Sequence, residues 1–121
     1  MDDLRKVKIG FFGTPTFSLR ILKALNSSFA NIKYVVTQAP KPAGRGKSIK
    51  FSEVHQWSNL QGLEVFSPIN TKDPDFIKSI LAIDVDFLVV AAFGHLISEE
   101  ILNHPKYMSV NVHASLLPKW R

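Results

Sequence analysis

Five short apolar runs, alternating with segments of helical period, constrain this chain more than any other feature. The runs are residues 7–12 (VKIGFF), 32–37 (IKYVVT), 63–66 (LEVF), 87–92 (FLVVAA) and 108–112 (MSVNV). Each has strand length and is rich in β-branched or aromatic side chains. Between the first two, Thr14, Pro15 and Thr16 supply cap chemistry, and Phe17, Ile21, Leu22 and Leu25 recur at helical spacing up to Asn26. Ser52 with Glu53 opens a second helix through about Leu60, which Gly62 ends. Asp73 and Pro74 announce a third, with Phe76, Ile77, Ile80 and Leu81 on its apolar side, and Ser98 begins a short fourth through Leu102. Strands separated by helices need right-handed crossovers and pair in parallel. The pattern therefore predicts an α/β fold: an open, mainly parallel, Rossmann-like sheet in order 3-2-1-4-5, with helices on both faces. Residues 39–52, rich in Pro, Gly and Lys without periodicity, read as a long loop.

Such a sheet places ligands beyond the carboxyl ends of its strands, where the strand order reverses. The segments 13–17, 93–98 and 113–118 leave those ends and are the places to look for chemistry. Composition narrows the chemistry. The 121 residues are 45% hydrophobic, enough for one core, and contain no cysteine, which excludes a disulfide scaffold and a cysteine-ligated zinc. The longest apolar run, residues 87–93, falls far short of the roughly 20 needed to cross a bilayer, and the start MDDLRK has no apolar signal core. A soluble, cytoplasmic protein without a membrane partner is expected. Lys and Arg outnumber Asp and Glu by 15 to 10, a net charge of +5 that favours a polyanionic partner.

The first loop, FGTPTF from Phe12, has one glycine where a dinucleotide fingerprint needs three, and it lacks the Lys of a phosphate-binding P-loop. Gly13 then serves either a tight turn at positive φ or contact with substrate. The second loop, KPAGRGKSIK, gathers Lys41, Arg45, Lys47 and Lys50 with no acid among them. A solvated basic projection is the plain reading, and phosphate contact the functional one. With no aromatic side chain in the run, base stacking is not its task. The third segment, SVNVHASLLPKWR from Ser109, sets Asn111 and His113 two residues apart, on one face at a strand's carboxyl end. A carboxamide donor can stabilise a developing oxyanion, and an imidazole can move an amine proton near neutral pH. The alternative is two polar residues hydrogen-bonded at a strand end.

The string VNVHASLLPKWR, with FFGTPTF, TQAPKPAGRGK and VVAAFG, resembles the amino-terminal part of the methionyl-tRNA formyltransferase family, in order from Lys8 to Arg121. NxHxSLLP is the signature of the formyltransferase superfamily, and PAGRGK narrows it to the tRNA enzymes. The resemblance implies formyl transfer from 10-formyltetrahydrofolate to the amino group of methionine on initiator tRNA, in translation initiation. It implies no metal, and a monomer when complete. Asn111 would polarise the formyl group and His113 would handle the amine proton. Ala92, Phe93, Gly94 and Leu96, with Ser115, Leu116, Leu117 and Pro118, would line the folate pocket. Lys41, Arg45, Lys47 and Lys50 would reach the tRNA, and Gly13, Thr14 and Phe17 would lie near its methionyl end. Two departures, Ser98 in place of a common proline and Ala39 at a position commonly acidic or beside proline, bear on loop rigidity.

The family's third catalytic residue is an aspartate downstream of this motif. Asp84 and Asp86 precede the fourth strand at its amino end, the wrong edge, and are no substitutes. The resemblance thus implies that residues 1–121 form a single, incomplete catalytic domain without the family's carboxyl-terminal domain, inactive alone. Two other readings stand beside it: a formyltransferase acting on a sugar or ribonucleotide amine, and a non-catalytic α/β module that binds RNA or nucleotide through its basic loop.

Overall fold

The computed structural model describes residues 6–43 and 48–113. In chain order its elements are β1 (Val7–Gly13), α1 (Thr16–Asn26), β2 (Ala30–Val36), β3 (Lys41–Ala43), β4 (Ser48–Lys50), α2 (Glu53–Leu60), β5 (Val65–Phe66), α3 (Pro74–Leu81), β6 (Phe87–Ala91), α4 (Glu99–Leu102) and β7 (Met108–Asn111). The main sheet runs β5-β2-β1-β6-β7, every neighbouring pair parallel. This is the expected 3-2-1-4-5 order once β3 and β4 are set aside. Those two form a separate antiparallel hairpin, which corrects the reading of residues 39–52 as a structureless loop. Strands of three residues are too short to show alternation, and Pro42 sits where a two-stranded ribbon tolerates a missing N–H.

The helix starts follow local chemistry. Ser52 Oγ accepts from His55 N and caps α2, Asp73 caps α3 ahead of Pro74, and Ser98 Oγ accepts from Ile101 N to cap α4. Ser98, expected to bear on loop rigidity, fixes the start of α4 through this hydrogen bond. The α1 start differs from expectation: Pro15 is its N-cap and makes no side-chain cap bond. The helix is held instead by Ser18, whose buried hydroxyl donates to Ala91 O at the end of β6.

Two cores cover the two faces. Ile9, Phe11, Val35, Val89 and Ala91 pack against Leu22 of α1 and Val54 of α2, while Phe12, Tyr34, Val36 and Leu88 pack against Phe76 and Ile80 of α3 and Ile101 of α4. The β1–β2 register steps from Ile9↔Ile32 to Gly10↔Tyr34, skipping Lys33. That extra residue inverts the alternation of β2, so Ala30 and Ile32 face α1 and α2 while Tyr34 and Val36 face α3 and α4. Burial pushes the Tyr34 phenol well above its ordinary range and keeps it neutral. Asp86 lies at the amino edge, where its carboxylate accepts from Lys8 N at 2.8 Å, far from the rim where the candidate residues gather. Among the described residues, no helix is long and apolar enough to cross a membrane.

Candidate active site at the carboxyl rim

The rim is built around the turn that leaves β6. Ala92 has φ 62 and Gly94 φ 95, two left-handed residues within three positions. For alanine this conformation costs about 1–2 kcal/mol, a strain that folds retain where a site needs the turn. The turn buries the Phe93 ring in the second core and leaves Ala92 and Gly94 exposed. A Cβ at Gly94 would displace the Gln38 carboxamide, so the glycine leaves room for that side chain as well as meeting the φ.

Hydrogen bonds tie this turn to the ends of β1 and β2. Thr14 N donates to Ala92 O at 3.2 Å, and Thr14 Oγ1 donates to Phe93 O at 3.3 Å. Gln38 Nε2 donates to the same carbonyl at 2.9 Å, while Gln38 N donates to Thr14 Oγ1 at 3.1 Å. The fully buried Thr37 joins its hydroxyl to Thr14 Oγ1 at 3.4 Å and to Ser52 Oγ at 2.9 Å. Nothing in the sequence singled out Thr37, Gln38 or Ser52 for this rim. Their partners are 15 to 55 residues away along the chain, beyond the reach of any local pattern.

On the far side of the turn, a cleft of about 700 Å³ runs along the outer edge of β7, lined by His95, Leu96, Asn103, Tyr107, Ser109 and Asn111 among others. Ser109 Oγ donates to Leu102 O at 2.7 Å and holds β7 to the end of α4. Asn111 lies two residues further on the same face, exposed, its Cα opposite Val90. Val112 N donates to Val90 O at 2.8 Å, and its side chain packs into the opposite core. His113 is exposed two residues past Asn111, beyond the end of β7. His95 and Tyr107, which the sequence reading passed over, share this cleft with Asn111 and Leu96.

The other expected site residues distribute unevenly. Gly13 is buried, and its φ is not positive. Its small size answers to crowding, because a Cβ there would overlap Ser18 and the Phe11 ring, and this corrects the turn reading. The Thr14 hydroxyl is spent within the rim, and Phe17 is half-buried against the first core. Phe93 offers a ligand neither its ring nor a free carbonyl. Lys50 is exposed on β4, and the register sets position 41 opposite it across the hairpin. Arg45, Lys47, Ser115, Leu116, Leu117 and Pro118 lie outside the described residues, as does the side chain of Lys41. Among the described residues no group of three His, Cys, Asp or Glu could hold a metal ion.

A sequence profile of the formyl transferase family matches residues 6–121. This chain belongs to the formyl transferase family. Among curated relatives, it is 41% identical over 116 residues to the methionyl-tRNA formyltransferase of Clostridium novyi, covering 95% of this chain and 37% of that protein. It is 42% identical over 115 residues to that of Caulobacter vibrioides, with the same coverage of 95% and 37%. It is 44% identical over 111 residues to that of Thermodesulfovibrio yellowstonii, covering 92% and 36%. The chain thus spans little more than a third of the length of these relatives. In this family member the exposed Asn111 ends β7 and the exposed His113 lies two residues on, at the rim that the Ala92–Gly94 turn frames.

Proposed function

We propose that this chain carries the donor-side half of a site that transfers a formyl group from 10-formyltetrahydrofolate to the amino group of methionyl-tRNA. The acceptor amine attacks the formyl carbon, forming a new C–N bond as the carbon's bond to the folate nitrogen breaks. The Asn111 NH₂ group donates to the carbonyl oxygen as it gains negative charge, a contribution that typically amounts to about 10²–10³ in rate. His113 takes the proton that the amine sheds and returns one to the departing folate nitrogen. The cleft lined by Leu96 and Asn111 mixes apolar and polar groups, which suits a donor that has both a ring system and polar substituents, and the exposed carboxamide is part of its lining.

The observation that carries this reading is the seating of the basic hairpin on the same rim as Asn111, through the bonds from Gln38 to the Phe93 carbonyl and to Thr14. Register sets Lys41 across from Lys50. The segment 39–51 carries four basic residues and no acid, a charge that suits a polyanionic acceptor. A small amine would gain nothing from such an arm. The protein as its gene encodes it, incubated with 10-formyltetrahydrofolate, should formylate methionyl-tRNA and leave an amino sugar nucleotide and a ribonucleotide amine unmodified. Formylation of either small amine with none on methionyl-tRNA contradicts the proposal.

A further inference from the structure

Gln38 and Ser52 are the residues that flank the segment 39–51, which includes the basic hairpin, and both belong to the rim network. One assignment of its protons satisfies every bond in it. Ser52 Oγ accepts from His55 N at 3.0 Å. In that assignment Thr37 donates its one hydroxyl proton to Thr14, and Ser52 donates to Thr37. Thr14 accepts from Thr37 and from Gln38 N, and passes its own proton to Phe93 O. The result is one directed series, His55 N–H to Ser52, Thr37, Thr14 and the Phe93 carbonyl, with Gln38 bridging its last two members. Each hydroxyl in such a series polarises the next, and the fully buried Thr37 joins its two halves. The series runs from the first turn of α2, across the ends of β2 and β1, to the turn beside the cleft.

We propose that Thr37 and Gln38 are positioning residues: they hold both roots of the basic hairpin and the Phe93–Gly94 turn as one unit. An acceptor gripped by the hairpin and a donor seated beside Asn111 then meet in a fixed register. This rests on the transfer reading for its purpose, but the rigid unit itself is a physical claim that stands or falls without it. Neither residue touches a reacting atom.

The test uses Thr37→Val, Thr37→Ser and Gln38→Met in the protein as its gene encodes it, with amide hydrogen exchange read residue by residue and no ligand added. Gln38→Met removes a donor only at the turn, yet it should speed exchange of the His55 amide at the other end. Thr37→Val should speed exchange at Thr14, Gln38 and His55 together, by about 2-fold to 10-fold for the loss of one or two such bonds. Thr37→Ser keeps the hydroxyl and should match the unaltered protein. Acceleration confined to the immediate neighbours of each substitution, or equal behaviour of Thr37→Ser and Thr37→Val, overturns the proposal. Formyl transfer supplies the second measurement. Gln38→Met should raise KM for both methionyl-tRNA and formyl donor, whereas a merely structural loss lowers the active fraction and leaves both KM values alone. Unchanged KM values with coupled exchange overturn the positioning role. Absence of transfer in the unaltered protein removes the transfer reading, and the exchange pattern still decides the rigid unit.

Discussion

Replacing Gly94 by alanine should destabilise the protein by an amount that depends on Gln38. At φ 95 an L-residue is strained by about 1–2 kcal/mol. The new Cβ also lands on the Gln38 carboxamide, which must swing away and give up its 2.9 Å bond to Phe93 O. A lost hydrogen bond of this kind costs about 0.5–1.5 kcal/mol net. Together the two effects predict a loss of about 1.5–3.5 kcal/mol for Gly94→Ala. In a Gln38→Ala background the carboxamide is already gone, so the same replacement should cost only the backbone strain, about 1–2 kcal/mol. Urea unfolding followed by circular dichroism, on the parent, both single variants and the double variant, measures the four free energies. A Gly94→Ala cost below about 0.5 kcal/mol, or an equal cost in both backgrounds, would refute the account of this turn.

Gly10→Ala should cost about 1–3 kcal/mol in the same assay, because its Cβ would overlap the buried Tyr34 ring and the core has no room to yield. Ala92→Gly should be neutral or stabilise by up to about 1 kcal/mol, since relief of left-handed strain outweighs the added chain entropy of glycine. Burial lowers the His55 pKa below its ordinary value, so the unfolded chain binds the proton more readily. Stability should therefore decline as pH falls below about 6.5 and level off once the folded pKa is passed, and His55→Phe should remove that part of the slope in unfolding curves. For the hairpin, four phosphate contacts predict a slope of about −3 in log K against log salt for tRNA binding, and Arg45→Ala should make it shallower by about 0.7. Identical slopes would leave the basic residues as plain solvated charge.

What the sequence revealed is what short-range chemistry controls. Ser52, Asp73 with Pro74, and Ser98 open their helices where hydrogen-bond caps and a fixed φ make a start favourable, and each was legible from a few neighbouring residues. The apolar run at 87–92 is interior to the sheet, paired on both sides by β1 and β7, as a strand without polar alternation should be. The hairpin escaped notice because three-residue strands carry no period. Two features lay beyond the sequence pattern for a different reason: Gly13 is small because Ser18 and Phe11 crowd it, and Phe93 is turned inward between two left-handed residues. Both are tertiary facts. The Thr37 series belongs to the same class, since its members follow β1 and β2, cap α2 and lie in the turn after β6. The pair Asn111 and His113 stands out in the sequence through a strand's period of two, although β7 itself ends at Asn111.

The most direct test of the transfer site is Asn111→Ala in the protein as its gene encodes it, with kcat for formyl transfer and Kd for methionyl-tRNA measured side by side. Loss of one oxyanion donor predicts a fall in kcat of about 10²–10³ with Kd unchanged within about 2-fold. A kcat within about 3-fold of the unaltered protein, or a loss of rate explained wholly by weaker tRNA binding, would contradict the assignment of the rim as the place where the formyl group moves.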